Sequence, residues 1–64
     1  MKKGDIVELI ENTKFYKKGK RAVVVCEYDR QNWNEKKITI RYEGERYYGE
    51  DADVMPKELF KIVS

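Results

Sequence analysis

The run Ala22-Val23-Val24-Val25-Cys26, entered through Gly19-Lys20-Arg21, is the feature that most limits what this chain can become. It is the only long stretch of β-favouring apolar residues in the sequence. β-Branched side chains crowd a helix at χ1 but pack well on a pleated surface. Lys20 to Tyr28 therefore reads as a strand, with Ala22, Val24, Cys26 and Tyr28 on one face and Val23 and Val25 on the other. A strand apolar on both faces belongs in the middle of a tightly curled sheet. Cys26 then counts as a buried core residue with little reactivity rather than a nucleophile.

The remaining elements are shorter. Lys3-Gly4-Asp5 is a turn signal, and Ile6 to Ile10, broken only by Glu8, suits a short strand. Asn12 to Gly19 has no useful periodicity and reads as a long loop, with Gly19 supplying a positive-φ pivot into the next strand. Asp29 to Glu35 is a polar loop that carries the only tryptophan, Trp33. Lys37 to Tyr42 alternates, with Ile38, Ile40 and Tyr42 facing inward and Lys37, Thr39 and Arg41 facing solvent. Glu43-Gly44-Glu45 predicts a tight turn, and Arg46-Tyr47-Tyr48 the return strand of a hairpin. Gly49-Glu50-Asp51 breaks the sheet, and Ala52 to Met55 forms at most a brief extended piece. Pro56-Lys57-Glu58 suits one helical turn, and Leu59 to Val63 a last strand. A helix running on from Pro56 is the alternative, because Leu59, Ile62 and Val63 also fall at helical spacing.

The expected fold is all-β: one domain over residues 1–64, a small five-stranded barrel with a short helical turn before the last strand. At 64 residues the chain buries only about 60% of its unfolded surface, so its core is small. Although 41% of residues are charged, apolar residues are equally common and fall in blocks, which favours a folded domain over disorder. A single cysteine allows no internal disulfide and no multi-cysteine zinc site. A reducing, cytoplasmic setting fits this, with no signal-peptide core and no membrane span expected.

Lys3-Gly4-Asp5-Ile6-Val7 and Lys18-Gly19-Lys20-Arg21-Ala22-Val23 give each of the first two strands a Lys-Gly lead-in. Together with Met55-Pro56-Lys57-Glu58-Leu59 before the last strand, this arrangement resembles the SH3-like barrels of small bacterial, archaeal and phage proteins, including KOW-like domains. Those KOW-like motifs usually carry a second glycine where this chain has Ala22. Ile38-Thr39-Ile40-Arg41-Tyr42 and Pro56-Lys57-Glu58-Leu59 are also similar to segments of small archaeal chromatin proteins, which are SH3-like too. Those proteins are richer in lysine and lack an acidic stretch like residues 50–53.

Catalysis is not expected. There is no histidine, and the only serine is Ser64, so neither an imidazole base nor a triad can be assembled. Glu50, Asp51 and Asp53 bring three carboxylates close together but lack the ligand pattern and central glycine of an EF-hand loop; a solvated acidic loop is expected, with no metal and no cofactor. Two binding roles remain. Lys14, Lys17, Lys18, Lys20 and Arg21 form a basic block interleaved with Phe15 and Tyr16, a composition that suits phosphates and exposed bases of DNA or RNA. Lys36, Lys37 and Arg41 would extend it if the third strand lies alongside. Alternatively, Tyr16, Trp33, Tyr47, Tyr48 and Pro56 line an aromatic groove for a protein partner, since many SH3 folds bind peptides in such a groove. Tyrosine and tryptophan are favoured at interface hot spots. The acidic residues Glu43, Glu45, Glu50, Asp51 and Asp53 offset the basic block, predicting an electrostatically two-sided molecule and tilting the expectation towards a protein partner; the stretch from Glu50 to Asp53 would receive a basic partner or mimic a nucleic acid's charge.

Overall fold

A computed structural model describes all 64 residues. Its elements are β1 (Ile6–Leu9), β2 (Arg21–Cys26), β3 (Lys37–Tyr42), β4 (Asp53–Pro56), a 3-10 turn (Lys57–Leu59) and β5 (Phe60–Ile62). The strands form one antiparallel sheet in the order β4-β3-β2-β1-β5. No ladder joins β4 to β5, so the sheet is not closed by hydrogen bonds; the 3-10 turn carries the chain from one edge to the other. Pro56, which cannot donate to a ladder, ends the β4 edge. The turn stops at Phe60, which is already extended, so no helix runs on from Pro56.

One face of the sheet forms the core. Val7 and Leu9 from β1, Ala22 and Val24 from β2, Ile38, Ile40 and Tyr42 from β3, and Phe60 from β5 are all buried. Their spacing is the period of two that a pleated strand imposes, and register aligns them across strands: Val7 with Ala22, Ala22 with Tyr42, Val24 with Ile40. Ala22 has no exposed surface, and the small side chain fits between its large neighbours Val7 and Tyr42. On the opposite face Glu8 lies between Arg21 and Lys61, its partners on the two flanking strands, at 3.6 and 3.3 Å. Such exposed cross-strand pairs contribute at most about 1 kcal/mol each and chiefly favour this register.

Three expectations about strands need correction. β2 stops at Cys26 because Val25 is an extra residue: Val24 faces Ile40, yet Cys26 faces Thr39. This bulge flips the alternation, so Cys26 shares the outer face with Thr39 and is only half-buried rather than part of the core. Thr39 in turn is buried instead of facing solvent, because the chain beyond the bulge crosses over it and its hydroxyl donates to the Tyr28 carbonyl at 2.8 Å. Arg46-Tyr47-Tyr48 forms no strand; the partner of β3 on that side is β4, separated from Tyr42 by ten residues. The intervening loop is pinned from outside its own sequence. Arg41 donates to the carbonyls of Gly49 and Asp51 at 2.6 and 3.0 Å, and Arg30 donates to that of Glu50 at 3.4 Å.

The polar loop after β2 is also ordered. Asp29 is buried, and its carboxylate accepts hydrogen bonds from the backbone N–H groups of Gln31 and Asn32 and from the Asn32 amide. Those bonds stabilise the ionised form, the Asn32 amide most strongly, and hold the carboxyl below its ordinary range.

Candidate binding groove

The loop between β1 and β2 is built to present aromatic side chains. Thr13 and Tyr16 are locked together: the Thr13 N–H and hydroxyl both donate to the Tyr16 carbonyl, and the Tyr16 N–H donates to the Thr13 hydroxyl. Asn12 accepts from the Lys18 N–H at 2.8 Å, and the Gly19 N–H donates to the Leu9 carbonyl at 2.9 Å. Gly19 has a φ of 99°, a backbone conformation that residues with a side chain rarely adopt, and so turns the chain into β2 without strain. The result is a closed loop that carries Phe15 and Tyr16 at its tip.

Tyr16 lies over the end of the core, its ring centroid 4.2 Å from that of Tyr42. Phe15 does the opposite and leaves 81% of its surface in solvent. Between this loop and β4 runs a groove of about 430 Å³. Phe15, Tyr16, Tyr42, Met55 and Leu59 give it an apolar lining, and Lys14 and Asp53 its charged groups. Register explains the far wall: Met55 opposes Ile38 and Asp53 opposes Ile40, so both belong to the core-side parity of β4.

Electrostatically, the groove is tied to the loop after β3. The Tyr47 hydroxyl donates to the Asp53 carboxylate at 2.6 Å and accepts from the Tyr42 N–H at 3.0 Å, while the Arg41 guanidinium sits 5.5 Å from the Tyr47 ring. Burial, reinforced by the Asp53 charge, raises the Tyr42 phenol to about 12. Burial and the hydrogen bond to Asp53 likewise raise Tyr47 to about 12. Tyr16 is raised as well, first by burial and then by the Glu45 carboxylate. An unfolded tyrosine ionises near 10, whereas Tyr42 and Tyr47 keep their protons until about 12. The stability their neutral forms supply is therefore complete below pH 10 and lost as pH climbs towards 12. Thermal melts are expected to fall most steeply in that window, and the double variant Tyr42→Phe/Tyr47→Phe to flatten the fall; equal slopes for the two proteins would contradict this assignment.

The basic block is less free than its composition implies. Lys20 lies 3.9 Å from Glu45 and 5.1 Å from the Tyr16 ring, Arg21 faces Glu8, and the Lys14 ammonium sits 5.6 Å from the Phe15 ring. Only Lys17 and Lys18 make neither an ion pair nor an aromatic contact. The acidic and basic blocks touch at Lys20 and Glu45, which approach to 3.9 Å.

The aromatics proposed for a groove do not converge in one place. Tyr16 lines it directly, and Tyr47 supports it through Asp53. Tyr48 is 70% exposed in the loop after β3, and Pro56 lies at the far end of β4 opposite Lys37. Trp33 is 75% exposed, with its ring stacked on Tyr28 at 5.4 Å and 14°. It is also the one non-glycine residue with a positive φ, 55°. A bulky side chain there costs on the order of 1–3 kcal/mol, sustained by the surrounding loop. Conversely, Tyr42, Met55 and Leu59 line the groove although the sequence did not single them out for binding; the inward alternation of β3, extended across to β4, is the signal that would have found them.

No helix is long and apolar enough to cross a membrane, and no cluster of three metal-ligating side chains occurs. Set against known proteins, the chain matches no family model, no curated sequence and no solved structure.

Proposed function

We propose that this chain is a non-enzymatic SH3-like module that binds a short, extended segment of a partner protein in the groove between the β1–β2 loop and β4. The observation that carries the reading is Phe15, held 81% exposed at the tip of a hydrogen-bonded loop beside an apolar groove. Ordering an aromatic ring in water has no folding benefit, and apolar surface so placed marks an interaction site. The strand order, with a 3-10 turn between β4 and β5, supports the SH3-like part of the proposal, in which the curled sheet is a small barrel.

The partner segment has defined chemistry. Phe15, Tyr16, Tyr42, Met55 and Leu59 suit an apolar side chain. Asp53 accepts a hydrogen bond from Tyr47 but pairs with no cation, so its carboxylate is available to a lysine or arginine of the partner. Binding nucleic acid through the loop 14–21 is the lesser reading, because Lys20 and Arg21 already face carboxylates. Selection from a display library of random peptides tests the proposal. Recovered sequences are expected to combine an apolar residue with Lys or Arg; recovery of no enriched peptide would overturn it.

A further inference from the structure

The strand that walls the groove, β4, is an edge of the sheet, and its backbone is only half used. Along an antiparallel ladder, residues that bond the partner strand alternate with residues whose N–H and C=O point away from it. The Lys57 N–H donates to the Lys36 carbonyl at 3.0 Å, which fixes the phase. Met55 with Ile38 and Asp53 with Ile40 are then the bonded pairs. Val54, opposite Thr39, turns its N–H and C=O away from β3, where no strand of the chain meets them. Ala52, of the same parity, takes part in no backbone hydrogen bond. Such an edge is a template for another strand unless charge, proline or a covering segment blocks it. Pro56 blocks only the far end.

Side chains divide across this edge as along any strand. Asp53 and Met55, two residues apart, line the apolar groove. Ala52 and Val54 belong instead to a polar depression shared with Arg30, Glu50 and Asp51. A strand laid antiparallel on β4 would present one residue to Met55 and, two positions later, one to Asp53. The residue between them would exchange both of its main-chain bonds with Val54. Met55 suits an apolar side chain, and Asp53, which pairs with no cation, suits a lysine or arginine.

We infer that the partner segment binds by strand addition, antiparallel to β4, and carries the order apolar–x–Lys/Arg with a polar x opposite Val54. This rests on the peptide-groove reading and extends it from composition to spacing, direction and main-chain recognition. Antiparallel pairing is the more stable arrangement per residue, and it alone lets one residue exchange both bonds with Val54.

Two blocked peptides serve as probes: Ser-Thr-Leu-Thr-Lys-Thr-Ser, and the same peptide with Leu and Lys exchanged. The first is expected to bind about tenfold more tightly, because the exchange sets Lys against Met55 and Leu against Asp53. N-methylation of its middle threonine, or of the threonine after lysine, is expected to weaken binding about tenfold by removing a donor to the Val54 or Ala52 carbonyl. N-methylation of leucine or lysine, whose N–H groups point away from β4, is expected to weaken it by less than about threefold. The Val54 amide is expected to exchange with deuterium rapidly in the free protein and about tenfold more slowly in the complex. Val54→Pro removes the edge donor without removing an in-chain hydrogen bond, and is expected to weaken the first peptide about tenfold. The N-methyl series reads the same contact in the unaltered protein, should that variant fail to fold. Binding of the first peptide with equal effects at all four N-methyl positions would overturn strand addition and leave the groove standing. A Val54 amide already protected in the free protein would also overturn it, because a second copy would then hold the edge. Binding of neither peptide would overturn the groove reading as well.

Discussion

Replacing Ile40 by alanine is expected to destabilise the fold by about 2–5 kcal/mol, the range for deleting a fully buried branched side chain. Ile40 has no exposed surface and sits mid-strand in β3, facing Val24 on one side and Asp53 on the other. A domain of this size has only about 3–10 kcal/mol of stability in total, so the variant is expected to lose a large share of it. Urea denaturation monitored by far-ultraviolet circular dichroism would measure the change. A loss below about 1 kcal/mol would mean that β3 is not the centre of the core. The contrast with Ile62, which is 53% exposed at the end of β5, makes the result specific: Ile62→Ala is expected to cost far less.

The second large effect concerns binding rather than folding. Phe15→Ser is expected to weaken capture of a selected peptide about 30-fold, equivalent to the roughly 2 kcal/mol of an aromatic hot spot. Because Phe15 is exposed, the same change is expected to leave the melting temperature within a degree or two. Tyr16→Ala would not separate the two effects, since the Tyr16 ring also packs on Tyr42 and covers the core. A Phe15→Ser protein that binds selected peptides as tightly as the parent would remove the loop tip from the interface.

The parts of this fold that were legible in the sequence are those fixed by local chemistry. The valine run, the alternation of Ile38, Ile40 and Tyr42, Gly19 as a left-handed pivot and the single turn after Pro56 each follow from neighbouring residues. What could not be read depends on contacts distant in sequence. Arg46-Tyr47-Tyr48 has the aromatic content of a strand, but Tyr47 spends its hydroxyl on Asp53 and the Tyr42 N–H, and Arg41 clamps the loop past it. Once that hairpin is misplaced, the true partner of β3 is lost, and with it Asp53 and Met55 as groove residues. The bulge at Val25 is equally silent, because a run of valines looks the same whether or not one of them is an extra residue.

Charge shows the same limit. The basic loop and the acidic stretch are plain in the sequence, but only the tertiary fold brings Lys20 to Glu45 and Arg21 to Glu8. Trp33 was conspicuous as a tryptophan in a polar loop; its left-handed backbone and its stacking on Tyr28 are set by the ordered turn around Asp29.

Amide chemical-shift mapping of the 15N-labelled protein, titrated with a peptide recovered by selection, tests the central proposal most directly. The largest shifts are expected to cluster at Thr13, Phe15, Tyr16, Tyr42, Asp53 and Met55, with little change at Trp33 and Lys36. Shifts concentrated at Trp33 and Lys36, or spread evenly over the sheet, would contradict it.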